Sequence, residues 1–253
     1  MLAKKLVRKI LPFVLLFSIF AETTTPAEPV KSLRFPLGIF LLGEKPIPES
    51  YFMVHTELNK NNMTLFIPSS EYLKYKIKNH RENASLQHLA GYVTYKDNIV
   101  KKIAEHITKD CSSKEKACQT ISDFVQQVVK YDATIETGGK KNYTRYPIET
   151  LVERNGDCED TAILAGAFMK SIGIDIILIY LDDLELNKGH VALGVNGDFS
   201  GATYLCADGK IYYHAETSST NWPKAEWKIG QISKRLKDAL KNNKLKINTH
   251  LVK

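Results

Sequence analysis

The chain has 253 residues, 43% apolar and 25% charged, the proportions of a folded globular protein. That length holds one domain with a sizeable core plus elaborations and is short for two full domains. The net charge of +7 sits at the ends: residues 1–21 carry four cations and no anion, residues 224–253 carry nine Lys or Arg against Glu226 and Asp238, and the stretch between them is net −4. A nucleic-acid-binding domain would want its cations on the folded body, so no nucleic-acid partner is expected.

In chain order, Lys4, Lys5, Arg8 and Lys9 precede an apolar run from Ile10 to Phe20, with Ala21 and Ala27 as candidate cleavage points. The run is shorter than the ~20 residues of a spanning helix, so residues 1–21 read as a signal peptide, with an uncleaved N-terminal anchor as the alternative. Either implies an extracytoplasmic protein, secreted or membrane-anchored. Residues 22–31 are rich in Thr and Pro and read as a linker. Within an N-terminal elaboration over 32–90, short strands are expected at 35–42, 51–58 and 63–67, and a helix at 69–79. Asn62, Asn83 and Asn142 each begin an N-x-S/T sequon.

A clearer pattern starts at Asp97. Ile99, Ile103 and Ile107 recur at a four-residue step, predicting a helix to about Lys109. A second helix is predicted from Ser113 to about Tyr131, and a third from Cys158 to Ser171 with Gly173 beyond its end. Strands are then expected at 175–181, 190–195, 204–207 and 211–216. Helices followed by an antiparallel meander indicate an α+β fold, with the main domain over 91–223. The basic tail, 224–253, reads as a solvated helix, with contact to membrane lipid or an anionic polymer as the alternative.

Four cysteines remain to be placed. Cys111 and Cys118 bracket a polar turn, and a loop-stapling disulfide between them is the expectation for an exported protein. Cys158 and Cys206 could form a second disulfide, the bland alternative to a reactive Cys158. The context of Cys158 favours reactivity. In Gly156-Asp157-Cys158-Glu159-Asp160, Asp157 is placed as N-cap and Cys158 as the first helical residue. A thiol there faces unpaired N–H groups and the positive end of the helix dipole, which favours thiolate, although Glu159 and Asp160 work against it. Ala162, Ala165, Gly166 and Ala167 make the helix lean enough to approach a sheet closely.

His190 opens a strand whose alternation puts His190, Ala192 and Gly194 on one face and Val191, Leu193 and Val195 on the other. The small-residue face matches the lean helix, which makes His190 the candidate base. On the next strand Tyr212, His214 and Glu216 share a face. Glu216 is the candidate third group that orients the base, and His214 is a competitor for the base itself.

The blocks Tyr146-Pro147-Ile148-Glu149-Thr150-Leu151, Gly156-Asp157-Cys158-Glu159-Asp160-Thr161, Gly189-His190-Val191-Ala192 and Tyr212-Tyr213-His214-Ala215-Glu216-Thr217 resemble the core of the transglutaminase-like superfamily. Within it they are most similar to exported prokaryotic cysteine peptidase-like members. The resemblance covers about residues 92–220. It implies a papain-like fold: a nucleophile at the start of a helix packed on an antiparallel sheet that carries His and Glu. Cys158 is then nucleophile, His190 base and Glu216 orienting acid. Many members have Asp at the third position, often before Pro-Thr, whereas this chain has Glu216-Thr217.

The implied chemistry is acyl transfer through a thioester. Water as second nucleophile makes a peptidase or amidase acting on peptide or isopeptide bonds; an amine makes a cross-linker. A cell-surface binding module on the same fold is the non-catalytic alternative. The Cys158 N–H is a natural oxyanion donor, with Gln126 or Gln127 as a candidate second. Tyr143 and Tyr146 either line the cleft or pack. Asp182, Asp183 and Glu185 read as a solvated turn rather than a calcium loop, and no metal or cofactor is expected. The expected partner is a peptide, protein or wall-polymer substrate.

Overall fold

The computed structural model describes residues 29–30, 50–58, 61–81, 84–131, 143–219 and 223–253. The expectations for the signal segment, for most of the linker and for a strand at 35–42 lie outside these residues. No helix among the described residues is long and apolar enough to cross a membrane.

A small antiparallel sheet comes first, formed by β1 (Pro29–Val30), β2 (Tyr51–Leu58) and β3 (Asn61–Pro68) in that order. Phe52 and Val54 on β2 alternate inward, as do Leu65 and Ile67 on β3. Helix α1 (Ser69–Lys76) follows directly, and the short α2 (Leu86–Tyr92), absent from the sequence expectation, is capped by Ser85. Helices α3 (Asn98–Thr108) and α4 (Lys114–Val128) form where the isoleucine and valine spacing predicts them, capped by Asp97 and Ser113. The end of α4 comes at Val128 rather than Tyr131. The chain then extends into β4 (Lys130–Tyr131), which pairs in parallel with β5 (Asn155–Gly156) just ahead of Cys158. Between them lies α5 (Pro147–Glu153), begun by proline at its first position and closed by Arg154 at φ 54°.

The central helix is α6 (Cys158–Ser171), buried without interruption from Asp160 to Met169. It runs between α3, α4 and α5 on one side and a five-stranded sheet on the other. That sheet comprises β6 (Ile176–Asp183), β7 (Lys188–Val195), β8 (Thr203–Leu205), β9 (Ile211–Ala215) and, after α7 (Lys234–Lys241), the terminal β10 (Leu245–Leu251). Every pairing is antiparallel, and the order is β10-β6-β7-β9-β8. The architecture is the expected α+β one, with the helix carrying Cys158 packed on an antiparallel sheet.

Two expectations are corrected. The lean helix does approach the sheet closely: a Cβ on Gly166 would lie 2.8 Å from Ile176 Cδ1 and 3.2 Å from Leu193 Cδ1. The face it meets, however, is that of Val191, Leu193 and Val195, which share the main core with Ala162 and Ala165. Ala192 instead packs on the other side with Ile177, Ile179 and Tyr212. An apolar sheet face buries more area against a helix of small residues than a small-residue face could. The basic tail is likewise not one solvated helix. Residues 245–251 form an edge strand registered on β6 from Leu245↔Asp183 to Leu251↔Ile177, and Val252 is buried.

Candidate active site

The first turn of α6 is built from the inside. Asp157 Oδ1 accepts from the N–H groups of Glu159 (2.9 Å) and Asp160 (3.2 Å), while Asp160 Oδ2 accepts from Asp157 N (3.3 Å), a reciprocal cap. Asp160 is fully buried and takes two further bonds from Arg145, from its backbone N (2.7 Å) and from Nη1 (2.8 Å). Arg145 in turn pairs through Nε with Glu153 at 2.7 Å. A Cβ on Gly156 would lie 2.7 Å from Asp160 Cβ, so glycine is required for the chain to pass the cap. The Gly-Asp-Cys-Glu-Asp run is therefore a folding unit that puts Cys158, half-buried, at the first position of the helix.

Strand β9 pairs with β7 only from Leu193↔Ala215 to Val195↔Tyr213. Beyond that point the two strands part, and His190 and Glu216 lie on the opened end. His190 Nε2 donates to Glu216 Oε2 at 2.6 Å. The other ring nitrogen is left for the sulfur, and Cys158 lies close enough to His190 to raise its imidazole. The Val191 N–H also points at Cys158 Sγ, 3.4 Å away. Glu216 Oε1 accepts from Ser218 N (3.1 Å) and Ser218 Oγ (2.7 Å), so both carboxylate oxygens are engaged. Thr217 Oγ1 donates to Thr161 Oγ1 at 3.1 Å, tying the Glu216 segment to α6.

Electrostatics follow the geometry. Burial alone would lower the His190 imidazole, but Glu216 and Cys158 hold it well above its ordinary value of 6.5. Burial would raise the Glu216 carboxyl, yet His190 and the Ser218 hydrogen bond bring it down to about 2. His214 differs. Burial takes it down to about 4, its Nδ1 is hydrogen-bonded to Tyr204 Oη at 2.9 Å, and it stands behind Glu216 as a neutral ring. Its candidacy as base ends there. Beside the sulfur, burial followed by the Asp157 charge raises the Glu159 carboxyl to about 7.

Several sequence-derived candidates lie elsewhere. Gln126 is fully buried with its amide spent on the segment after Glu216. Its Nε2 donates to Glu216 O (3.2 Å) and Trp227 O (3.1 Å), and its Oε1 accepts from Glu226 N (2.8 Å) and Trp227 N (2.9 Å). It is corrected from an oxyanion donor to a support of the Glu216 segment. Gln127 does not line the cleft at Cys158, and its Oε1 is buried without a partner among the described residues. Tyr143 donates to Glu149 Oε1 at 3.0 Å and stacks on His80 at 4.3 Å, while Tyr146 packs on Tyr75 and Tyr92 at 4.9 and 4.5 Å. Both tyrosines are packing residues outside the cleft, because the rings and carboxylates behind α5 satisfy them better than water would.

The cysteines are corrected too. Cys111 and Cys118 are free thiols: Cys111 Sγ bonds Thr120 Oγ1 at 3.4 Å, and Cys118 faces the core, where burial pushes it up to about 12. Cys206 lies by Thr249 Oγ1, at 3.8 Å, and is free, as Cys158 is. Asp183 closes its turn by accepting from Glu185 N and Leu186 N and pairs with Arg235. Among the described residues no group of His, Cys, Asp or Glu is arranged to hold a metal ion.

Cys158 and His190 open into a cleft of about 760 Å³ that also reaches Tyr131, Glu159, Tyr180 and Asn248. The arrangement can present sulfur as a nucleophile, with an imidazole on it and a carboxylate behind the imidazole. Of the groups that orient this set, sequence reasoning missed Arg145 and Ser218 and gave Gln126 a different role. Only Arg145, next to the quoted Tyr-Pro block, had a local signal.

Residues 101–193 match the pattern of the transglutaminase-like superfamily core. No curated protein matches the chain. Among solved structures, a candidate cysteine protease from Cytophaga hutchinsonii is similar at 15% identity and TM-score 0.37, over 67% of this chain and 56% of that one. LapG of Legionella pneumophila is similar at 17% identity and TM-score 0.35, over 59% of this chain and 83% of its own.

Proposed function

Because residues 101–193 carry a transglutaminase-like domain, we propose that the protein is a thiol-dependent acyl-transfer enzyme, a cysteine peptidase or amidase that hydrolyses peptide or isopeptide bonds. Cys158 is the nucleophile, His190 the base and Glu216 the group that orients it. One observation carries the reading: Cys158 and His190 line one cleft, with the Val191 N–H 3.4 Å from the sulfur, and His190 is hydrogen-bonded to Glu216 at 2.6 Å.

The thiolate of Cys158 attacks the carbonyl carbon, and negative charge moves to oxygen. The Cys158 N–H, which the Asp157 cap does not take, faces that oxygen at the helix N-terminus. As the tetrahedral species collapses, the C–N bond breaks and the imidazolium of His190 protonates the leaving amine. A water then loses its proton to His190 and attacks the thioester. A carboxylic acid is released and the sulfur leaves as thiolate. Glu216 keeps the ring nitrogen facing it protonated throughout, as a triad carboxylate does. Hydrolysis is favoured over amine transfer because the half-buried sulfur opens on a cleft that water can enter.

The proposal includes export by residues 1–21 and an extracytoplasmic peptide, protein or wall-polymer substrate. The test is labelling with iodoacetamide in the folded, reduced protein, followed by assay for new amines on peptide and wall-polymer fractions. Rapid labelling at Cys158 alone, lost with His190→Ala, together with amine release lost with Cys158→Ala, is the expected result. A folded protein whose Cys158 resists the reagent would instead be a binding module.

A further inference from the structure

The register of the main sheet carries the cleft away from the sulfur. Val191, whose N–H lies on Cys158 Sγ, pairs with Tyr180, and Tyr180 pairs with Asn248 of the terminal strand. Two strand spacings place Asn248 about 10 Å from Val191 across the sheet. Alternation on β10 sends Leu245, Ile247 and Leu251 into the apolar layer behind the sheet, so Asn248 and His250 stand on the cleft face, and both line the cleft. Leu86 and Gln87 of α2 form the facing wall. Tyr180 is the floor between the two ends. A Cβ on Gly189 would run into its hydroxyl, so the missing side chain is what lets the phenol lie there. Asn248, His250 and α2 all fall outside residues 101–193.

We propose that this far end of the cleft is a subsite for an extended polypeptide acyl donor, gripped about three residues from the scissile carbonyl, with Asn248 and His250 as specificity-determining residues. The inference rests on the acyl-transfer reading of Cys158. At about 3.3 Å per residue, the span from Val191 to Asn248 is three residues of extended chain. The Asn248 side chain offers both a donor and an acceptor, the pair that a peptide unit needs. Asp157, beside the sulfur in the same cleft, opposes a polyanionic polymer and favours a neutral or cationic peptide. The basic C-terminal segment thus contributes to the site through its polar strand residues rather than through its charge.

The test uses alanine-based peptidyl acyloxymethyl ketones of one to four residues, with the second-order inactivation rate of the full-length protein as the readout. In the unaltered protein the rate should rise about tenfold as the third residue is added, the worth of one well-made hydrogen-bonded contact. In Asn248→Ala/His250→Ala that rise should disappear while the rate with iodoacetamide stays unchanged. No length dependence in the unaltered protein, or the same dependence in the double variant, overturns the subsite. Absence of the rise in the unaltered protein overturns the subsite whether or not the variant folds. Failure of iodoacetamide to label Cys158 would overturn the acyl-transfer reading itself, a result distinguishable from loss of length dependence alone.

Discussion

At the scale of single residues, the site is a chain of charge. The imidazole of His190 is raised by its partners, so the stability it contributes is complete below about pH 6.5 and is lost as pH climbs through its folded value. The lowered carboxyl of Glu216 contributes above about pH 4.5 and loses its contribution as pH falls toward 2. Replacing Glu216 by Gln removes the anion that holds the imidazolium, so the alkaline limb of Cys158 alkylation should move to lower pH; an unmoved limb would remove Glu216 from the charge chain. Glu159 has the opposite sign from an ordinary carboxylate. Its pKa is raised to about 7, so ionisation costs folding energy as pH rises from 4.5 through 7. Glu159→Gln should therefore stabilise the protein at pH 8, by on the order of 2 kcal/mol, and have little effect at pH 5. Denaturant titrations at the two pH values measure the difference.

At the scale of elements, the first turn of α6 and the segment after β9 must be held in fixed relation for sulfur, imidazole and carboxylate to meet. Gln126 supplies much of that hold, with four hydrogen bonds to the backbone of Glu216, Glu226 and Trp227. Gln126→Ala leaves those buried groups unmet and should cost about 3 kcal/mol, given ~1–3 kcal/mol for each buried polar group left unsatisfied. Thermal melting would register the loss, and reactivity at Cys158 should fall with it. Most helices were legible because isoleucine or valine recurs at helical spacing through α3 and α4. The end of α4 was not, since the apolar pattern runs on through Val129 into β4 and only pairing with β5 shows the change. Strand β10 had a period-two signal in Leu245, Ile247 and Leu251, but the lysines around it read more strongly as a charged surface.

At the scale of the molecule, the segments beyond the family pattern are structural members of the fold. The β2–β3 hairpin and α1 place Val54, Ile67 and Tyr75 in the same core as α6. At the other end, β10 covers β6 and brings Ile247, Leu251 and Val252 inward. A chain ending at residue 244 loses the buried Val252 and the half-buried Ile247 and Leu251, together worth about 3–6 kcal/mol, a large part of the net stability of most domains. Such a chain should show no cooperative melt by circular dichroism; a transition within a few degrees of the full-length protein would mean that β10 is not docked on β6.

The sequence by itself determined that Cys158 begins a helix behind an Asp157 cap, that His190 lies on a strand, and that the fold is α+β, because caps, alternation and helical spacing are local and leave their mark within a few residues. Only the tertiary structure decided which sheet face receives α6, that Tyr143 and Tyr146 pack behind α5, that Gln126 braces the Glu216 segment, and that the last strand closes the cleft. Each of those depends on contacts between residues far apart in the chain, and such pairings impose no period on the segments that make them.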